Sequence, residues 1–101
     1  MARNRRQYRN RIQIAANIIE IAKHGSRKTR IMYLGNLSFD LLQKYLDMLL
    51  NYGLIEITDG GEKVYVATEK GRHFLEEFYE LQKYAEVVEE KRRALETSFA
   101  R

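Results

Sequence analysis

The sequence predicts a mainly α-helical protein with one small β-hairpin and a long C-terminal helix suited to a coiled coil. Three observations carry that reading. Apolar residues recur at the three-four spacing of one helical face through residues 38–53. A strand, a Gly-rich turn and a second strand follow directly. Beyond residue 68, apolar residues at alternating spacings of four and three continue over more than three heptads.

Taken in order, residues 1–11 form a basic arm. Arg3, Arg5, Arg6, Arg9 and Arg11 are interrupted by few apolar residues. Such arginines suit phosphate neutralisation or a minor groove. A first helix is expected over about residues 8–23, with Ile14, Ile18, Ile21 and Ala22 as its stripe and Gly25 at its C-terminal cap. Ser26 is placed to cap a short second helix whose buried side would be Ile31, Met32 and Leu34. Arg27, Lys28 and Arg30 cluster at the front of that helix, where charges and first-turn amides both favour a phosphate.

Gly35-Asn36 turns the chain into the central helix, capped by Ser38. Leu42, Tyr45, Leu46, Leu49 and Leu50 form its apolar face, and Gly53 ends it in a left-handed conformation. The opposite face presents Asp40, Gln43, Lys44 and Asp47. Residues 54–58 alternate as a half-buried strand, Asp59-Gly60-Gly61-Glu62 is a hairpin turn, and residues 63–67 return. Two helices joined by a short Gly-containing turn, then a hairpin, outline a winged helix-turn-helix, in which the central helix enters a DNA groove and the hairpin is the wing.

Thr68 caps a final helix expected over residues 69–98. At 1.5 Å per residue it is a rod of about 45 Å, too long for so small a domain to cover. Phe74, Phe78, Leu81, Ala85, Val88, Leu95 and Phe99 form its seam, with Arg92 in the polar slot. A homodimer through this seam is expected. A parallel pair would set Arg92 against its own copy, so the antiparallel arrangement is favoured. The register stays open between setting Arg92 opposite Phe74 and opposite Leu81 of the partner. The chain thus divides into an arm at 1–11, a winged helix-turn-helix at 12–68 and a dimerisation helix at 69–101.

Charge placement indicates the partner. Residues 1–53 hold ten Lys and Arg against three Asp and Glu, and residues 54–101 hold eight against eleven. A basic front and an acidic back fit a polyanion bound at the front, namely double-stranded DNA. The residues assigned to DNA are Arg3, Arg5, Arg6, Arg9, Arg27, Lys28, Arg30, Ser38, Gln43, Lys44 and Lys63. Asp40 and Asp47 would oppose phosphates, so weak sequence discrimination is expected.

The same residues exclude other classes. The chain has no cysteine, hence no disulfide or thiolate metal site. No run approaches the roughly 20 apolar residues of a membrane span. The start of the chain has no apolar stretch after its charges, so no secretory signal is expected and the location is read as cytoplasmic. His24 and His73 lack metal-pair spacing, and Gly60-Gly61 lacks the Lys-Ser/Thr of a phosphate loop. No metal, cofactor, small-molecule ligand or enzymatic activity is expected.

With these residues in place, the chain resembles the small archaeal winged-helix DNA-binding proteins that dimerise through a long C-terminal antiparallel coiled coil. Lys28-Thr29-Arg30-Ile31-Met32-Tyr33, Asn36-Leu37-Ser38, Lys44-Tyr45, the strand-turn-strand and Thr68-Glu69-Lys70-Gly71 carry the resemblance, which covers about residues 12–98. It implies an abundant, nucleoid-associated chromatin protein that binds duplex DNA with little sequence preference and bridges or compacts it. By similarity, Lys28, Arg30, Ser38 and Lys44 match positions near DNA. The rival readings on the same fold are a sequence-specific transcriptional regulator and a protein-interaction module working through the acidic rod.

Overall fold

The described architecture begins at Asn10. A computed structural model describes residues 10–58 and 62–100. The Asn10 side chain accepts from the Gln13 backbone N–H at 2.8 Å, and the Gln13 side chain accepts from the Asn10 N–H at 3.3 Å. This reciprocal cap fixes the start of α1 (Arg11–Ile21). Arg11 therefore belongs to the first helical turn rather than to the arm. Arg3, Arg5, Arg6 and Arg9 lie outside the described residues, as does Tyr8. The helix ends at Ile21 with Ala22 as its cap, earlier than the glycine predicted. Gly25 instead makes the turn that follows, at a φ of +100°.

The second helix, α2 (Lys28–Gly35), corrects two expectations. Ser26 is not its cap: Arg27 occupies that position and makes no side-chain capping bond. Ser26 is buried, and its hydroxyl donates to the Ile21 carbonyl at 2.9 Å. Leu34 is exposed, and Gly35 takes the buried position, where an added Cβ would lie 3.2 Å from the Leu37 side chain. Ile31 is the fully buried anchor and Met32 packs at the edge. Asn36, at a φ of 54°, closes the helix in the left-handed region that asparagine tolerates.

α3 (Phe39–Asn51) follows the sequence closely. The Ser38 hydroxyl accepts from the Leu41 N–H at 3.2 Å. Leu42, Tyr45, Leu46 and Leu49 are buried, and Leu50 packs against them in part. Gly53 takes a φ of +76° just past the end. With Ile18 and Ile19 of α1, Ile31 of α2 and Ile55, these leucines form the dry centre. Each such side chain contributes about 1.5–3 kcal/mol by leaving water.

β1 (Ile55–Thr58) and β2 (Val64–Ala67) pair antiparallel, Ile55 opposite Ala67 and Thr58 opposite Val64. The predicted alternation is only partly realised. Ile55 is buried but Ile57, on the same face, is not, because the hairpin leaves the core beyond Ile55. The predicted turn at Asp59, Gly60 and Gly61 falls outside the described residues. Ser26 adds a bridge to the free edge of β2: its N–H donates to the Tyr65 carbonyl at 2.9 Å, and the Tyr65 N–H donates back at 2.8 Å.

α4 (Glu69–Thr97) is 29 residues long. The Thr68 hydroxyl accepts from the Gly71 N–H at 3.0 Å and donates to the Gly53 carbonyl at 2.6 Å. Leu75 is buried, and Phe74 and Phe78 lean on the core from its edge. The Tyr79 hydroxyl donates to the Glu20 carboxylate on α1. From residue 79 to residue 100 every position is exposed, and the molecule measures 65 × 26 × 19 Å. Among the described residues no helix is long and apolar enough to cross a membrane.

Candidate nucleic-acid interface

The Ser26–Tyr65 bridge brings the basic start of α2 against the base of the wing. Arg27, Lys28, Thr29, Lys63 and Tyr65 line an open cleft of about 360 Å³ there. Two cations predicted from distant parts of the sequence, Lys28 and Lys63, thus share one surface. Thr29 and Tyr65 were not read as part of it. Tyr65 has no sequence signal beyond its place in a strand, since only the bridge to Ser26 sets its position.

The predicted side chains among the described residues have these environments. Arg27 forms an ion pair with Glu62 across the cleft, both largely exposed. Lys28 donates to the Gln43 amide oxygen and lies 4.6 Å from the centre of the Phe39 ring. Gln43 in turn donates to Asp47 at 3.0 Å. Lys28, Gln43 and Asp47 therefore tie α2 to α3. Gln43, half-buried and engaged on both sides, is less available to bases than an exposed amide. An ammonium has three donors, so Lys28 keeps capacity for a phosphate. Arg30 donates to the Ser26 hydroxyl at 2.5 Å, which steadies its stem. Lys44 and Lys63 are exposed and have no ion pair among the described residues.

The two awkward carboxylates find reasons in this geometry. Asp47 is the acceptor for Gln43. Asp40 sits in the first turn of α3, where a negative charge stabilises the helix dipole. Glu62 is the carboxylate set directly against a cation of the cleft. Glu62→Gln is expected to tighten duplex binding about threefold, a modest gain because exposed ion pairs contribute little; fluorescence anisotropy at fixed salt would measure it.

Comparison with known proteins places this geometry. The winged helix-turn-helix family profile matches residues 8–86. An uncharacterized protein of the archaeon Methanocaldococcus jannaschii is 39% identical over 71 residues, which cover 62% of this chain and 73% of the relative. The crystal structure of Sso10a-2, a DNA-binding protein from Sulfolobus solfataricus, superimposes with a TM-score of 0.80 over 92% of this chain and 99% of that one, at 24% identity. A MarR family transcriptional regulator from Silicibacter pomeroyi gives a TM-score of 0.62 at 16% identity, over 84% of this chain but 62% of the regulator. These two likenesses establish the fold, and the first extends through the long terminal helix. The profile match, the archaeal relative and the hairpin packed beside two turn-linked helices agree that the chain belongs to the winged helix-turn-helix family, in its small archaeal form.

Proposed function

We propose that the protein is a dimeric, chromatin-type binder of double-stranded DNA that recognises phosphates and groove shape with low sequence specificity. The observation that carries this reading is the joint basic surface. Arg27 and Lys28 at the start of α2 and Lys63 at the wing line one cleft, steadied by backbone bridges and an inter-helix hydrogen bond, and Arg30 on α2 and Lys44 on α3 add exposed cations on the two helices beside it. Its base-reading capacity is small. Gln43 is engaged with Lys28 and Asp47, and Asp40 and Asp47 would repel deep insertion. Ser38 is exposed at the start of α3, with its hydroxyl engaged as the cap. That the similarly folded Sso10a-2 is a DNA-binding protein supports the assignment.

The dimer reading rests on α4. Val88 is 60% exposed, Leu95 68% and Phe99 84%, all along one seam with Leu81, Ala85 and Arg92. An apolar stripe of this length on a solvated rod has a natural cover in a second copy. Two heads on one rod bind DNA with avidity when both reach it, and the complex would be nucleoid-associated.

The test is binding to a random-sequence duplex across a salt series. About five phosphate contacts give a slope of log affinity against log salt near −4.5. Similar affinity for unrelated duplexes supports the chromatin reading. The likeness to a MarR family regulator favours the second reading, a sequence-specific regulator, which predicts one strongly preferred site instead. Absence of binding at low salt removes DNA as the partner.

A further inference from the structure

One groove on the head is left unused by the DNA-binding reading. Ile12, Phe74, Glu77, Phe78 and Leu81 line an apolar recess of about 290 Å³ where α1 meets α4. Ile12 is 48% exposed there, although it lies on α1 and outside the heptad seam. We propose that the α4 helices pair antiparallel in the register that lays the partner's Phe99, which sits in the turn just past the Thr97 end of its α4, beside Phe74 in this groove. The inference rests on the dimer reading above and fixes its geometry.

Seam positions restrict the choice. Phe78, Ala85, Arg92 and Phe99 form one row, and Phe74, Leu81, Val88 and Leu95 the other. In an antiparallel pair, layers join one row to the partner's other row. The proposed register pairs Phe74 with Phe99, Phe78 with Leu95, Leu81 with Arg92 and Ala85 with Val88, so every seam position has a partner. Arg92 then lies over leucine, with its stem buried and its guanidinium free to reach Glu89 on its own helix, which it already approaches at 3.8 Å.

Registers one heptad away fail for separate reasons. Sliding the helices apart pairs Leu81 with Phe99 and Val88 with Arg92, and leaves Phe74 and Phe78 without partners. It also brings the two Arg92 side chains from about 16 Å to about 6 Å apart along the rod, at 1.5 Å per residue. Lys91 would face its own copy, whereas in the proposed register it lies beside the partner's Tyr84. Sliding the helices together puts the partner's Leu95 level with Gly71 and carries the partner's C-terminal end past the start of α4. Gly71 is buried against the head, so the helices would collide with it.

The chain has no cysteine, so introduced thiols report alone. Size-tagged Leu81→Cys mixed with untagged Arg92→Cys is expected to form the mixed disulfide under mild oxidation, since paired seam positions come within the roughly 4.4–6.8 Å between Cα atoms that a disulfide requires. A mixed disulfide between Val88→Cys and Arg92→Cys instead shows the shifted register and overturns the proposal. A Leu81→Cys disulfide with itself shows a parallel pair and also overturns it. The mass of the unsubstituted chain by sedimentation equilibrium separates the two levels: a monomer removes the dimer reading itself, whereas a dimer with the wrong disulfide removes only this register. Ile12→Ala, checked for folding by circular dichroism, is expected to weaken the dimer about tenfold, or about 1.4 kcal/mol in the standard conversion. An unchanged dissociation constant would overturn the use of the groove, because a pure coiled coil does not involve α1.

Discussion

Gly71→Ala is expected to lower the melting temperature by roughly 15 °C or more, a loss of about 3 kcal/mol for a domain this small. The sign runs against helix propensity. Alanine inside a helix is normally better than glycine by about 0.5–1 kcal/mol. Here the added methyl group would stand 2.1 Å from the Leu54 carbonyl oxygen. That atom is backbone and cannot turn aside. It is also held in place, because it accepts the Thr68 N–H at 3.1 Å. The first turn of α4 would have to lift off the Leu54 segment, dragging buried Leu75 with it. Thermal melting followed by circular dichroism measures the effect, and an increase in melting temperature would show that propensity, not contact, governs the site. Gly53→Ala is the useful contrast. A Cβ there meets nothing within 4 Å, but its φ of +76° is unfavourable for alanine, so a smaller loss of about 1 kcal/mol is expected.

Lys28→Glu combined with Arg30→Glu is expected to weaken duplex binding by about a hundredfold at moderate salt and to flatten the salt dependence by about two units. Both side chains sit at the start of α2, one reaching α3 and the other anchored on Ser26. Charge reversal there replaces phosphate neutralisation with repulsion. Because Lys28 also bonds Gln43 and covers the Phe39 ring, a control is needed to separate folding from binding. Lys28→Met keeps an unbranched apolar side chain beside the ring and removes the charge together with the bond to Gln43, without introducing a repelling carboxylate. It is expected to fold normally and weaken binding about tenfold, near the 1.4 kcal/mol of one lost contact. Unchanged affinity in the double variant, in protein that melts normally, would move the DNA surface elsewhere.

The architecture was legible because its signals are local. Ser38 and Thr68 are caps whose hydroxyls reach an N–H three residues on, so the contact is decided within one turn. The α3 leucines repeat at a spacing that leaves one buried face in any tertiary setting. The seam continuing beyond Leu81 says that α4 outruns its head, and exposure from residue 79 onward agrees. Asn10 and Gln13 also formed a readable cap, and it would have set the start of the first helix at Arg11.

Other features depended on residues far apart in the chain. Ser26 reads as a helix cap from sequence, yet pairing with Tyr65, 39 positions later, claims its backbone and buries it. Leu34 reads as core, but α2 is only eight residues long and presents Ile31 and Gly35 inward instead. Arg27 reads as a free cation until the fold sets Glu62 against it. Asp47 reads as an obstacle to DNA until Gln43 is seen to bond it. The sequence by itself determined the order of the helices, the N-caps of α3 and α4, the two paired strands and the polarity of charge, because short-range hydrogen bonds and apolar periodicity decide these. Only the tertiary structure decided which cations share a surface, which are already paired and why Gly71 admits no side chain, because those depend on distances between segments that neither spacing nor composition encodes.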